Sequence, residues 1–139
     1  MTTFGIYEKA LPNGISWQER LELAASLSFD FVEMSIDETD ERLARLQWTD
    51  QEIEAVNQAQ RSTGVRIYSI CLSGHRRYPF GSADPAKRQK ALEMMQECVD
   101  LAVKLGVRNI QLAGYDVYYG DKTVLSRELF IENLDKAVK

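Results

Sequence analysis

The chain has 139 residues, 45% of them hydrophobic and 27% charged, the composition of one soluble globular domain large enough to bury a core. Its formal net charge is -4, with Lys and Arg scattered among the acids, which argues against nucleic acid because phosphate-backbone binding needs a clustered basic face. No run approaches the ~18 consecutive apolar residues of a membrane span, and no basic start precedes an apolar run, so no membrane partner and a cytoplasmic location are expected.

The first apolar run, Phe4–Tyr7, predicts a strand. A capping box follows at Ser16-Trp17-Gln18-Glu19, opening a helix that carries Trp17, Leu21, Ala24 and Leu27 on one face. The second strand is Phe31–Ile36. The acidic run Asp37–Glu41 after it reads as a solvated loop rather than a metal cage, since its charge would repel a phosphate. A second capping box, Thr49-Asp50-Gln51-Glu52, opens a helix that presents Ile53 and Val56 and stops at Gly64.

Val65–Ser73 predicts the third strand. The third helix begins at Asp84-Pro85, a cap residue followed by proline at the first helical position, where a missing N–H costs nothing. Its stripe is Leu92, Met95, Val99 and Ala102, and its stop is Gly106. Asn109–Gly114 predicts the fourth strand. A last helical pattern, Leu125, Leu129, Leu134 and Ala137, runs to the end of the sequence with no stop signal.

The junctions Gly64-Val65-Arg66-Ile67 and Gly106-Val107-Arg108-Asn109-Ile110 repeat, with Ser28-Phe29-Asp30-Phe31 a looser version, at the spacing of a βα unit. Strands alternating with helices imply a parallel sheet, either open and doubly wound or part of a closed barrel. Alternation assigns Phe31, Glu33 and Ser35 to one side of the second strand and Val32, Met34 and Ile36 to the other. It divides Ser69, Cys71 and Ser73 from Tyr68, Ile70 and Leu72, and Asn109, Gln111 and Ala113 from Ile110 and Leu112. A doubly wound sheet is apolar on both faces, whereas a barrel has one face towards helices and one towards a lumen. One-sided polarity favours the barrel. The doubly wound alternative is a stand-alone binding module without catalysis, and the absence of GxGxxG and GxxxxGK[ST] patterns counts against it. Cys71 and Cys98 show no metal-ligand spacing and read as reduced core residues.

Barrel sites lie at the C-terminal ends of strands. Glu33 is a carboxylate inside an apolar strand, which requires either a structural partner or a function. His75, the only histidine, lies in Ser73-Gly74-His75-Arg76-Arg77, and is either a surface residue or a site residue. Arg76 and Arg77 suit an anionic substrate or form a solvated doublet. Gln111 shares the Glu33 face and suits sugar hydroxyls. Tyr115, Asp116, Tyr118 and Tyr119 beyond it serve either a carbohydrate site or loop packing.

Several blocks carry a family resemblance. Gly5-Ile6-Tyr7-Glu8-Lys9-Ala10-Leu11, Phe29-Asp30-Phe31-Val32-Glu33-Met34-Ser35 and Asp37-Glu38-Thr39-Asp40-Glu41-Arg42-Leu43 occur in order, followed by Cys71-Leu72-Ser73-Gly74-His75-Arg76-Arg77 and Ile110-Gln111-Leu112-Ala113-Gly114-Tyr115-Asp116-Val117-Tyr118-Tyr119. The chain thereby resembles the L-xylulose-5-phosphate 3-epimerase family (the L-ribulose-5-phosphate 3-epimerase and hexulose-6-phosphate isomerase-like group), with Gly74 standing where alanine is expected. The resemblance implies an α/β fold, the first four βα units of a xylose-isomerase-like TIM barrel, so that residues 1–139 form a half-barrel truncated in its fourth helix. It implies C3 epimerisation of a ketopentose 5-phosphate with a divalent metal, one carboxylate removing a proton and a second returning it to the opposite face. A whole barrel takes about 250 residues. The family's metal-binding acids and histidine lie on later strands, so none is matched here and no metal is expected to bind this chain alone. What remains is the substrate-binding half, Glu33, His75, Arg76 and Gln111, inactive alone and expected to self-associate through two open strand edges.

Overall fold

The computed structural model describes residues 2–139. Each βα unit is punctuated by local chemistry. Helix α1 (Trp17–Ser26) opens on a reciprocal capping box between Ser16 and Glu19, and the helix over Asp50–Thr63 opens on the same device between Thr49 and Glu52. The helix over Pro85–Leu105 is capped by Asp84, whose side chain accepts from the Ala86 N–H, and the helix over Val124–Ala137 is capped by Thr123 with Ser126. Gly64 (φ 74°) and Gly106 (φ 69°) end two of them in the left-handed conformation. Ser28 takes the same conformation after α1 (φ 62°) without a glycine's freedom.

Between these helices lie strands β1 (Gly5–Tyr7), β2 (Phe31–Ile36), β3 (Arg66–Leu72) and β4 (Asn109–Leu112), all parallel and hydrogen-bonded in the order β1-β2-β3-β4. The first, third and fourth are shorter than their apolar runs. A short helix, α2 (Asp40–Leu43), follows β2; the remaining helices are α3 (Asp50–Thr63), α4 (Pro85–Leu105) and α5 (Val124–Ala137).

The core lies on one side of the sheet. Met34, Ile36, Ile67, Ile70 and Leu72 meet Ile53 and Val56 of α3 and Ala91, Met94, Cys98, Leu101 and Leu105 of α4. A smaller cluster joins Val32 to Leu21 and Ala24 of α1 and Ala59 of α3. Helices pack in chain order, α1 on α3, α3 on α4 and α4 on α5. Strands in sequential order with helices on one face curve into a barrel segment, and this topology rules out the doubly wound alternative.

Four readings of the sequence are corrected. Strict alternation puts Tyr68 with Ile70 and Leu72, but Val32 pairs with Ile67 and Glu33 with Ser69, so Tyr68 is the extra residue of a bulge. It stays exposed and packs on Phe31, ring centroids 5.1 Å apart. Cys98 is a core residue, but Cys71 is half-exposed in register with Ser35 and Gln111. The expected α4 stripe does face the core, with Met95 and Ala102 buried and Leu92 and Val99 packed against it, and Ala91, Met94, Cys98 and Leu101 widen the buried arc; α5 packs through Phe130, Leu134 and Ala137, but Leu125 faces solvent. The run Asp37–Glu41 is not simply solvated: Asp37 is buried, and Thr39 caps α2. No helix among the described residues is long and apolar enough to cross a membrane.

Candidate functional site at the strand ends

Parallel pairing lays side chains of the non-helical face in rows. Tyr7, Glu33, Ser69 and Asn109 are side by side in one row; Ser35, Cys71 and Gln111 form the next, towards the strand C-termini. Ser69 Oγ donates to Glu33 Oε2 at 2.6 Å, and Tyr7 donates its hydroxyl proton to Ser35 Oγ at 3.0 Å. Glu33 is half-buried and Gln111 exposed, so this face offers a carboxylate, an amide and hydroxyls to a small polar molecule. Burial raises the Tyr7 pKa and outweighs the Ser35 contact.

Loops from β2, β3 and β4 converge above these rows. The Arg76 guanidinium lies over the Tyr118 ring, 4.8 Å from its centroid. Tyr118 meets Tyr115 and Tyr119 edge-on at 5.2 and 4.8 Å, and Tyr119 donates to Glu38 at 2.9 Å. Arg76 Nε and the Tyr115 hydroxyl are buried without hydrogen-bond partners. Burial pushes the Tyr115 pKa up despite the nearby Arg76. Arg77 differs from its neighbour, pairing with Asp40 at 2.5 Å.

Of the four expected substrate contacts, Glu33 and Gln111 share the polar face and Arg76 joins the aromatic loops above it. His75 is placed elsewhere, in the helix layer. It is buried, its ring stacks on Phe80 at 4.3 Å, and Nε2 lies 3.3 Å from the Ala91 carbonyl. Phe130 and Leu134 of α5 line the same small cleft. Its imidazole is a packing element beneath the loop that presents Arg76.

The fully buried carboxylate is Glu8, directly after β1. Arg45 grips both its oxygens at 2.7 Å, Arg20 lies at 3.4 Å, and the Ser35 N–H donates at 2.8 Å. Arg42 Nη1 lies 2.8 Å away without hydrogen-bond alignment, so that contact is ionic. Burial alone would raise the Glu8 pKa, but Arg45, the Ser35 amide and Arg42 outweigh it and hold the pKa low. Asp37 beside this cluster is held at about 2: burial opposes the shift, and Lys9 and Thr39 prevail. Nothing in the residues around Glu8 marks it for this role. Its signal was Arg20, a charge at helical spacing on the buried stripe of Trp17, Leu21 and Ala24.

A divalent cation needs several converging donors. Among the described residues no three His, Cys, Asp or Glu side chains come together, so the donor set here does not fit one.

Residues 21–139 match the family described as the xylose isomerase-like TIM barrel. The chain is 54% identical over 134 residues to the putative L-ribulose-5-phosphate 3-epimerase SgbU of Haemophilus influenzae, covering 96% of this chain and 47% of that protein. It is 53% identical over 135 residues to the L-ribulose-5-phosphate 3-epimerase UlaE of Escherichia coli, covering 97% and 48% respectively. The chain thus spans about half the length of the curated relatives it matches. Its fold superposes on D-psicose 3-epimerase from Clostridium cellulolyticum H10, solved with D-tagatose, with a TM-score of 0.75 at 18% identity, over 99% of this chain and 47% of that one.

Proposed function

Because the chain belongs to the xylose isomerase-like TIM-barrel family, we propose that its polar sheet face is the substrate-binding half of a ketopentose 5-phosphate 3-epimerase of pentose and L-ascorbate catabolism, working in the cytoplasm. The observation that carries this reading is the convergence of Glu33, Ser69 and Gln111 on a face that no helix covers. The names of the relatives supply the substrate class.

C3 epimerisation interconverts L-ribulose 5-phosphate and L-xylulose 5-phosphate by removing the C3 proton and returning one to the opposite face. On this reading Glu33, steadied by Ser69, accepts a hydrogen bond from a substrate hydroxyl, and the Gln111 amide binds another. Arg76 and the tyrosines wall the sugar and favour its anionic end. The divalent metal of the family is assigned to no residue of this chain, because no three potential donor side chains converge among the described residues.

Calorimetric titration of the 139-residue chain with L-ribulose 5-phosphate tests this. We expect saturable binding that Glu33→Gln and Gln111→Leu each weaken about tenfold, the loss of one hydrogen bond to a polar or charged group. Equal affinity in wild type and both variants, with unchanged circular dichroism, would overturn the reading.

A further inference from the structure

Resting on that reading, we infer that Glu8 and Arg45 are positioning residues for the polar face: together they hold both backbone groups of Ser35 and thereby set the Tyr7–Ser35 hydroxyl pair beside Glu33. The ladder between β1 and β2 ends where Tyr7 pairs with Glu33, because the chain turns into one short turn of helix at Glu8–Ala10. Ser35, two residues further along β2, has no partner in β1. Side chains take the strand's place. Glu8 Oε2 accepts the Ser35 N–H at 2.8 Å, and Arg45 Nη1 donates both to that oxygen at 2.7 Å and to the Ser35 carbonyl at 3.0 Å. A third hold is on the side chain, where Ser35 Oγ accepts from the Tyr7 hydroxyl. Ser35 is fully buried, so this grip reaches a ligand only through Tyr7, which is half-buried and next to Glu33 in the first polar row.

Stability alone does not require this arrangement. One carboxylate among three buried arginines is costly in desolvation, and apolar side chains would fill the same space about as well. Apolar side chains cannot, however, bond a peptide group. Arg45 is itself held in place, its guanidinium lying over Trp17 at 5.4 Å and Trp48 at 5.7 Å. Lys9 pairs with Asp37 just beyond, joining the segment after β1 to the segment after β2 a second time. Because the Tyr7 hydroxyl gives its proton to Ser35, its oxygen keeps only an accepting role, with a fixed direction, for a substrate hydroxyl beside Glu33. A slack Ser35 frees the Tyr7 ring and blurs that direction.

Removing Glu8 outright strikes at the fold. Arg45→Lys is therefore the working variant: it keeps the charge and loses the fork that spans Glu8 and the Ser35 carbonyl. Ser35→Ala removes the Tyr7 anchor and leaves the ion cluster in place. Tyr7 is followed through the Cζ resonance of isotope-labelled tyrosine, assigned from the signal missing in Tyr7→Phe, and affinity by titration with L-ribulose 5-phosphate. We expect Arg45→Lys and Ser35→Ala to move the Tyr7 resonance in the same direction and each to weaken binding about three- to fivefold. In the double variant the affinity loss should be no larger than in Ser35→Ala alone, since both act through one contact. A Tyr7 resonance unmoved by Arg45→Lys would overturn the proposal even if that variant melts earlier, as would affinity untouched by Ser35→Ala or fully additive losses in the double variant. Movement of Tyr7 with wild-type affinity in Arg45→Lys, while Glu33→Gln still weakens binding, would overturn the pair's role at this face and leave the epimerase reading intact. No binding of L-ribulose 5-phosphate by the wild-type chain would overturn the epimerase reading itself, and with it the assignment of the pair to a substrate.

Discussion

His75 is 4% exposed between Phe80 and the first half of α4, and its pKa is pushed down from 6.5 to about 4. Burial disfavours the imidazolium and outweighs two backbone hydrogen bonds that oppose it. The unfolded chain therefore binds a proton at a higher pH than the folded chain. Stability from this group is complete above about pH 6.5 and lost as the pH falls towards 4. Thermal melts across that window should show a decline on the order of 2–3 kcal/mol, and His75→Gln should flatten it. Asp37 titrates lower, its contribution lost only as pH falls from 3.8 towards 2, so the two groups separate. A lone histidine in a loop after a barrel strand carries no mark of its depth, because Phe80, Ala91 and Phe130 that bury it come from three different segments. The carboxylates teach the same lesson. Glu33 stood out because its neighbours are apolar, while Glu8 looks like any surface acid until three arginines from other segments arrive.

Helix starts and stops were legible because each is decided within a few residues. Ser16, Thr49 and Asp84 cap as their motifs require, and Gly64 and Gly106 end their helices as left-handed residues. Ser28 occupies the equivalent place after α1 and carries a Cβ that opposes that conformation. Ser28→Gly should raise stability by about 0.5–1 kcal/mol, read as a higher melting temperature; no change would mean that the strain is relieved elsewhere. Less of the packing was legible, since it depends on partners far along the chain. The Tyr68 bulge arises between β2 and β3, and strict alternation through β3 does not register it. Helix α4 packs between α3 and α5 and so buries a wider arc than its expected stripe, adding Ala91, Met94 and Cys98 to Met95 and Ala102. Helix α2 was hidden by its acidic composition, although Thr39 is an ordinary cap.

At the scale of the molecule, the sheet has two outer strands, β1 and β4, each paired along only one edge. Such edges pair with further strands unless covered. Helix α5 beside β4 adds exposed Val124, Leu125 and Ile131. Light scattering of this 15.9 kDa chain should therefore give a mass that rises with concentration at micromolar levels, and a constant single-chain mass would contradict this. The Glu8 cluster has a different consequence, for how freely the first two units tolerate change. Arg20, Arg42 and Arg45 reach one carboxylate from α1, α2 and the turn after it. Removing one member of a buried ion cluster costs about 3–5 kcal/mol, whereas exchanging the whole group for apolar side chains is often close to neutral. These four positions, spread along the first third of the chain, should therefore tolerate joint replacement far better than the loss of any one of them.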